Sequence, residues 1–184
     1  MSQISSAHCG PAVVKMLMSF YGVSLYQRDL VRAAGAEKKL KTHGMTVAEL
    51  GLAVRLTAPA LQFWYKDYAS FQEMGELLTS YGVPVGVEWQ GVFEEYADDD
   101  DGHYAVVTHL NLVEDEILLA DPFKKYAGRD RQFKVSFFKD RWWDTNEIID
   151  PQTGHGHYVK DERLMFIVVP QEAGFPERLA MKRG

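Results

Sequence analysis

Apolar positions follow a helical spacing in the first half of the chain and a strand spacing in the second. After Pro11, the residues Val13, Val14, Met16, Leu17, Met18 and Phe20 cover most of a helix circumference before Gly22. Proline favours the first helical turn and glycine the position just past the end. An apolar surface all the way round belongs to a buried helix. The pattern predicts a central helix from Pro11 to about Tyr21. Three pairs spaced as capping boxes, Ser24 with Gln27, Thr46 with Glu49 and Ser70 with Glu73, predict three more helix starts. These lead into Leu30 and Val31, into Leu50 and Val54, and into Met74, Leu77 and Leu78.

Strand patterns dominate after that. Leu61–Tyr65 is short and aromatic. Val83–Trp89 contains Pro84, which predicts an edge strand or a strand start. Tyr104–Leu110 and Ile117–Ala120 flank the turn-like segment Asn111–Glu116 and predict an antiparallel hairpin. Leu164–Val169 is a continuous apolar run, as in a buried strand. Ser136–Trp143 predicts a short helix carrying Phe138 and Trp142. Helices gathered first and antiparallel strands after them give an α+β class, an N-terminal helical layer packed on an antiparallel sheet. A single domain over 1–170 is expected. The more polar tail 171–184 is expected to fray.

Composition narrows the functions available. The chain has 184 residues, 46% of them apolar and 25% charged. A chain of this size buries roughly two-thirds of its unfolded surface and needs no disulfide or metal to fold. A net charge of −6 disfavours nucleic acid as a partner, because phosphate contacts need clustered Lys and Arg. No basic stretch followed by an apolar one occurs at Met1–Ser6. The apolar segment Val13–Val23 carries Lys15 and is too short to span a bilayer. The expectation is therefore a cytoplasmic protein with no membrane insertion.

The single cysteine, Cys9, admits two readings. A free thiol often packs as a small hydrophobe. Cys9, however, lies just before the buried helix, where a partial positive charge and free N–H groups favour thiolate over thiol. A core cysteine has no need of that position, and Gly10 beside it lets a substrate approach the backbone. A thiolate nucleophile needs a base, and the base needs an orienting acceptor. Of six histidines, His103 stands at a strand start, and Asp121 ends the strand expected to pair with it. Antiparallel pairing brings these two ends together. His43 and His109 are expected to be ordinary, with His109 on the strand face of His103. Gln3, shortly before Cys9, can supply a side-chain donor to a developing oxyanion.

These residues together resemble the bacteriocin-processing, double-glycine cysteine peptidases. Gln3, then Cys9-Gly10-Pro11-Ala12 and a helix ending Phe20-Tyr21-Gly22, is similar to that family's N-terminal block. Gly102-His103-Tyr104 and Ala120-Asp121-Pro122 are similar to its second block. His8 departs from the Asp or other polar residue often found there. The resemblance implies a papain-like cysteine proteinase fold. It also implies Cys9 as nucleophile, His103 as base, Asp121 as orienter and Gln3 as oxyanion donor. The implied activity is hydrolysis of a peptide-like bond through an acyl-thioester. An acyl transferase or a non-catalytic binding domain on the same fold is the alternative. The partner is then a peptide or a small acyl or amine substrate, with no cofactor.

Other features carry less. Asp98–Asp101 lacks the alternating ligands of a calcium loop and is expected to be a solvated loop beside His103. His155 and His157 offer two imidazoles but no third ligand, so no metal is expected. Most of Trp64, Tyr65, Trp89, Trp142 and Trp143 should be core, with Trp89 or Trp142 a candidate to line a groove.

Overall fold

The computed structural model describes residues 1–41, 43–93, 102–149 and 155–184. Its first helix, α1 (Cys9–Phe20), begins at the cysteine itself, and Pro11 falls within its first turn. Its residues Val13, Val14, Leu17 and Met18 are buried as expected, whereas Met16 is half-buried and Phe20, at its C-terminal end, is exposed. Two capping boxes form as expected. Thr46 and Glu49 cap α3 (Val47–Thr57), and Ser70 and Glu73 cap α4 (Phe71–Thr79). Such caps satisfy backbone N–H groups that have no partner inside the helix.

The third expected box does not form. The helix α2 (Gln27–Ala33) starts after Tyr26 without a side-chain cap. Gln27 turns inward instead and is buried. Its Oε1 accepts from the Ile4 N–H at 3.1 Å and its Nε2 donates to the Ser2 carbonyl at 2.8 Å. Two long-range hydrogen bonds outweigh one local cap here, and they hold down the segment that leads to Cys9.

Seven strands form one antiparallel sheet. They are β1 (Leu61–Lys66), β2 (Val85–Gln90), β3 (Gly102–Asn111), β4 (Glu116–Ala120), β5 (Asp130–Lys134), β8 (Met165–Pro170) and β9 (Lys182–Arg183), in the spatial order β5-β4-β3-β2-β8-β1-β9. The remaining strands, β6 (Trp143–Ile149) and β7 (Gly156–Glu162), make a separate hairpin that reaches back to β2 and β3. The helix α5 (Val135–Arg141) joins β5 to β6. The α+β class is borne out, with α1, α2 and α3 packed on one sheet face around Phe63, Tyr104, Val106 and Phe166. The opposite face is also covered, by Met74 and Leu77 of α4 and Phe138 of α5. A sheet buried on both sides explains the continuous apolar run of β8.

One alternative is decided and two expectations need correction. The strand after Pro84 sits mid-sheet, so the proline marks a strand start and not an edge. The last residues do not fray: the helix α6 (Phe175–Arg178) precedes β9, which pairs with β1, and Met181 is buried. Trp89 and Trp142 are fully buried in the second core and line no groove. The register of β3 with β4 also slips between Val107 and His109. That bulge returns Leu110, not His109, to the core of Ala105 and Val107.

Gly86 in β2 faces the Phe166 ring so closely that a Cβ would collide with it. Phe166 is fully buried and stacked on Phe63 at 5.3 Å, so it has nowhere to retreat. Gly86→Ala is expected to cost roughly 1–3 kcal/mol, as overpacking does. A urea titration should show a lower midpoint with an unchanged slope.

Candidate active site

Antiparallel pairing builds the site at one end of the β3–β4 hairpin. Val106 opposes Ala120, so the start of β3 and the end of β4 lie side by side. His103 Nε2 lies 2.8 Å from Asp121 Oδ1, and both residues are buried. This leaves Nδ1 as the ring nitrogen open to another partner. The Cys9 thiol interacts with the same imidazole. The ring is held on its side by Phe93, whose centroid lies 5.0 Å away in an edge-on arrangement.

Asp121 is the most constrained member. Its side chain is fully buried. Its Oδ1 also accepts from the Phe123 N–H at 2.8 Å, and its Oδ2 pairs with the Arg131 guanidinium at 2.6 Å. Arg131 donates its second nitrogen to the Val92 carbonyl at 2.6 Å and stacks over the Tyr126 ring at 3.8 Å. A planar guanidinium suits both tasks, whereas a lysine ammonium suits neither.

Charges alternate along this chain of groups. Burial opposes the Cys9 thiolate, but the hydrogen bond and positive charge of His103 outweigh it, helped by backbone N–H groups of Tyr104 and Gly10. The net effect holds the thiol below its usual pKa. Burial likewise disfavours a charged His103, yet Asp121 and Cys9 push it up to about 9. Asp121 is held below the usual carboxylate range despite its burial, by His103, Phe123 and Arg131. Each of these shifts favours the ionised form, so the arrangement favours a Cys9 thiolate beside a His103 imidazolium backed by the Asp121 carboxylate. Opposite charges this close favour each other's ionised forms.

Gln3 reaches the same corner through its backbone, with its N–H donating to the Pro122 carbonyl at 2.8 Å. Its side chain is less committed to the thiol. Nε2 donates to the Ser5 and Ser6 carbonyls at 2.8 and 3.1 Å, and Oε1 is buried without a partner. The structure thus unites Cys9, His103 and Asp121 and places Gln3 beside them with its amide hydrogens locally engaged. His8 is tied to Ser5 Oγ at 2.6 Å; burial, with the charge of Arg28 behind it, lowers its pKa, so it adds no cation beside the thiolate.

The remaining candidates lie elsewhere. The Asp98–Asp101 run falls outside the described residues. His109 is exposed, and His43 lies 3.5 Å from Glu147 and lines the cavity that Cys9 also lines. His157 is exposed on β7, and among the described residues no three His, Cys, Asp or Glu side chains group as a metal site. No helix among the described residues is long and apolar enough to cross a membrane.

A model of the Peptidase_C39 like family matches residues 1–148. The chain belongs to that family. Ten chains of solved structure match as well. Among them is the peptidase domain of Streptococcus ComA, a bifunctional ABC transporter involved in a quorum-sensing pathway. The similarity has a TM-score of 0.59 at 19% identity and covers 93% of this chain and 97% of that domain. At that identity it shows the shared papain-like fold. No curated protein matches. For this family member the match ends within β6, so β7, β8 and the C-terminal segment lie beyond it.

Arg131 escaped the sequence analysis. The stretch Arg129–Gln132 is charged and looks like a loop, and only the spacing of Arg131 with Phe133 hints at a strand with an inward face. Contact with Asp121 is a tertiary fact that this spacing does not encode.

Proposed function

We propose that this chain is a cysteine peptidase that cleaves a peptide-like bond through an acyl-thioester on Cys9. The observation that carries the proposal is the Cys9–His103–Asp121 chain of interactions, with the thiol held below its usual pKa and the imidazole above its own.

In this mechanism the thiolate attacks the substrate carbonyl carbon, and the carbonyl π electrons move to oxygen. The Cys9 N–H, at the start of α1, is a donor to that oxyanion. Gln3 is the second donor, which requires its amide to release Ser5 or Ser6. The intermediate collapses, the C–N bond breaks, and His103 gives its proton to the leaving amine. Water then attacks the thioester while His103 takes a proton from it. The acid leaves, and the thiolate–imidazolium pair is restored. Asp121 holds the ring in place and stabilises its charge throughout.

The test is a peptide library incubated with the protein and with Cys9→Ala, read by mass spectrometry. Cleavages present only with the parent, together with an acyl mass on Cys9, are expected. Turnover should fall on the alkaline side near pH 9, where His103 loses the proton the leaving group needs. A rapidly alkylated Cys9 that neither cleaves nor acylates would make the chain a binding domain.

A further inference from the structure

A chain of buried polar groups runs from the thiol into the β6–β7 hairpin, and no step of the reaction above uses it. Glu88 of β2 and Tyr104 of β3 are cross-strand partners, at 1% and 3% exposure. The Tyr104 hydroxyl donates to the Glu88 carboxyl. Glu88 is hydrogen-bonded in turn to Asp161 of β7. The Asn146 amide of β6 bridges the two, 3.3 and 3.4 Å from the Glu88 oxygens and 2.9 Å from Asp161 Oδ2. Asp144 of β6, close by, accepts from Gln90 at 2.9 Å.

Two carboxyls that share a hydrogen bond need one proton between them, because two carboxylates have no donor. Burial and the charges of Asp144 and Asp161 push the Glu88 carboxyl well up, so Glu88 is the partner that holds it. Protonated Glu88 donates to Asp161 and accepts from Tyr104 and Asn146. Every donor in this chain then has an acceptor.

The other end of Tyr104 lies at the thiol. Its backbone N–H donates to the Cys9 sulfur. Pairing of β3 with β4 begins at Val106, so the backbone at Tyr104 lies beyond that ladder and is held by β2 and by its own side chain. The ring packs on Gly10, where a Cβ would lie 3.2 Å from it, and meets Phe166 edge-on at 5.8 Å. A side chain fixed at ring and hydroxyl fixes the backbone behind it, which is how a supporting shell holds reactive groups in place.

We infer that Tyr104 is a positioning residue for the thiol: its hydroxyl is moored through Glu88 to Asn146 and Asp161, so that the β6–β7 hairpin holds the Tyr104 N–H against the Cys9 sulfur. The inference rests on Cys9 being the nucleophile. It gives the hairpin a part in the reaction, and Asp161 lies beyond the residues that the family model matches.

The experiment follows Cys9 alkylation by iodoacetamide against pH, read by intact mass, with a thermal melt of each protein. Tyr104→Phe keeps the ring and removes the mooring. Its acid limb should move to higher pH, and on that limb alkylation should slow about three- to tenfold, the scale of one hydrogen bond. The alkaline plateau, where the thiol is ionised in either protein, should stay. Glu88→Met should behave like Tyr104→Phe. Glu88→Gln should match the parent, because an amide also donates to Asp161 and accepts from Tyr104. A Tyr104→Phe protein that melts lower but keeps the parent limb makes Tyr104 a packing residue and overturns the inference. A Glu88→Gln limb displaced as far as that of Tyr104→Phe overturns it as well. Should Glu88→Met not fold, these two variants still decide. A parent Cys9 that resists iodoacetamide overturns the nucleophile instead, so the two failures are distinguishable.

Discussion

His103→Ala is expected to slow alkylation of Cys9 at neutral pH by roughly ten- to a hundredfold and to reduce turnover by a further factor of about 10²–10⁴. Two separate losses add here. The imidazolium supplies both a hydrogen bond and a charge to the thiolate, and the burial of Cys9 opposes ionisation once they are gone. The variant thiol should therefore titrate higher than the parent thiol, which is held below the ordinary value. The part of the loss seen only in turnover is the proton that His103 delivers to the leaving group. The two can be separated by pH. In the parent, alkylation should rise through an acid limb below the ordinary thiol pKa and then stay high. Turnover should instead decline as His103 deprotonates near 9. In His103→Ala the acid limb of alkylation should move to higher pH. An unchanged alkylation profile would show that the helix start alone activates the thiol.

Arg131→Met should destabilise the fold by on the order of 3–5 kcal/mol, the cost of leaving a buried charge without its partner. The Asp121 side chain is fully buried and that of Arg131 is 11% exposed, so little water can replace the lost guanidinium. For a domain of this size the loss corresponds to roughly 6–20 °C in melting temperature. Asp121 then keeps His103 and the Phe123 N–H as partners, and its pKa should rise towards the ordinary range. At acid pH the variant would protonate Asp121 sooner, release the imidazole ring and lose turnover at a higher pH than the parent. Arg131→Lys should recover little, because an ammonium cannot bond Asp121 and the Val92 carbonyl together while stacking on Tyr126. Thermal melts with and without the lysine variant, and the acid limb of turnover, check both claims.

Much of the fold was legible because local chemistry and burial agreed. Thr46 with Glu49 and Ser70 with Glu73 cap helices whose inward residues also fit the core. Most of the apolar surface of α1 is buried, as its pattern required, and the run in β8 is a central strand. Antiparallel pairing of two hydrophobic strands was enough to bring His103 to Asp121. Where the local signal failed, a long-range partner outbid it. Ser24 and Gln27 had the spacing of a cap, but Gln27 gains more from two backbone groups of the N-terminal segment. The polar ending of the chain suggested fraying, but β1 had an unpaired edge to offer.

The amino-acid sequence by itself determined the setting of Cys9. A lone cysteine before Gly10 and Pro11, a helix apolar over most of its circumference, and a histidine and an aspartate at the ends of paired strands are all one-dimensional patterns with short-range causes. The tertiary structure decided the rest. It joined Arg131 to Asp121, turned the Gln3 amide towards Ser5 and Ser6, and enclosed Glu88 and Asp144 in one cavity beside the thiol. These depend on contacts between segments far apart in the chain. Periodicity can say which face of a strand is inward, but not which charge waits on the other side.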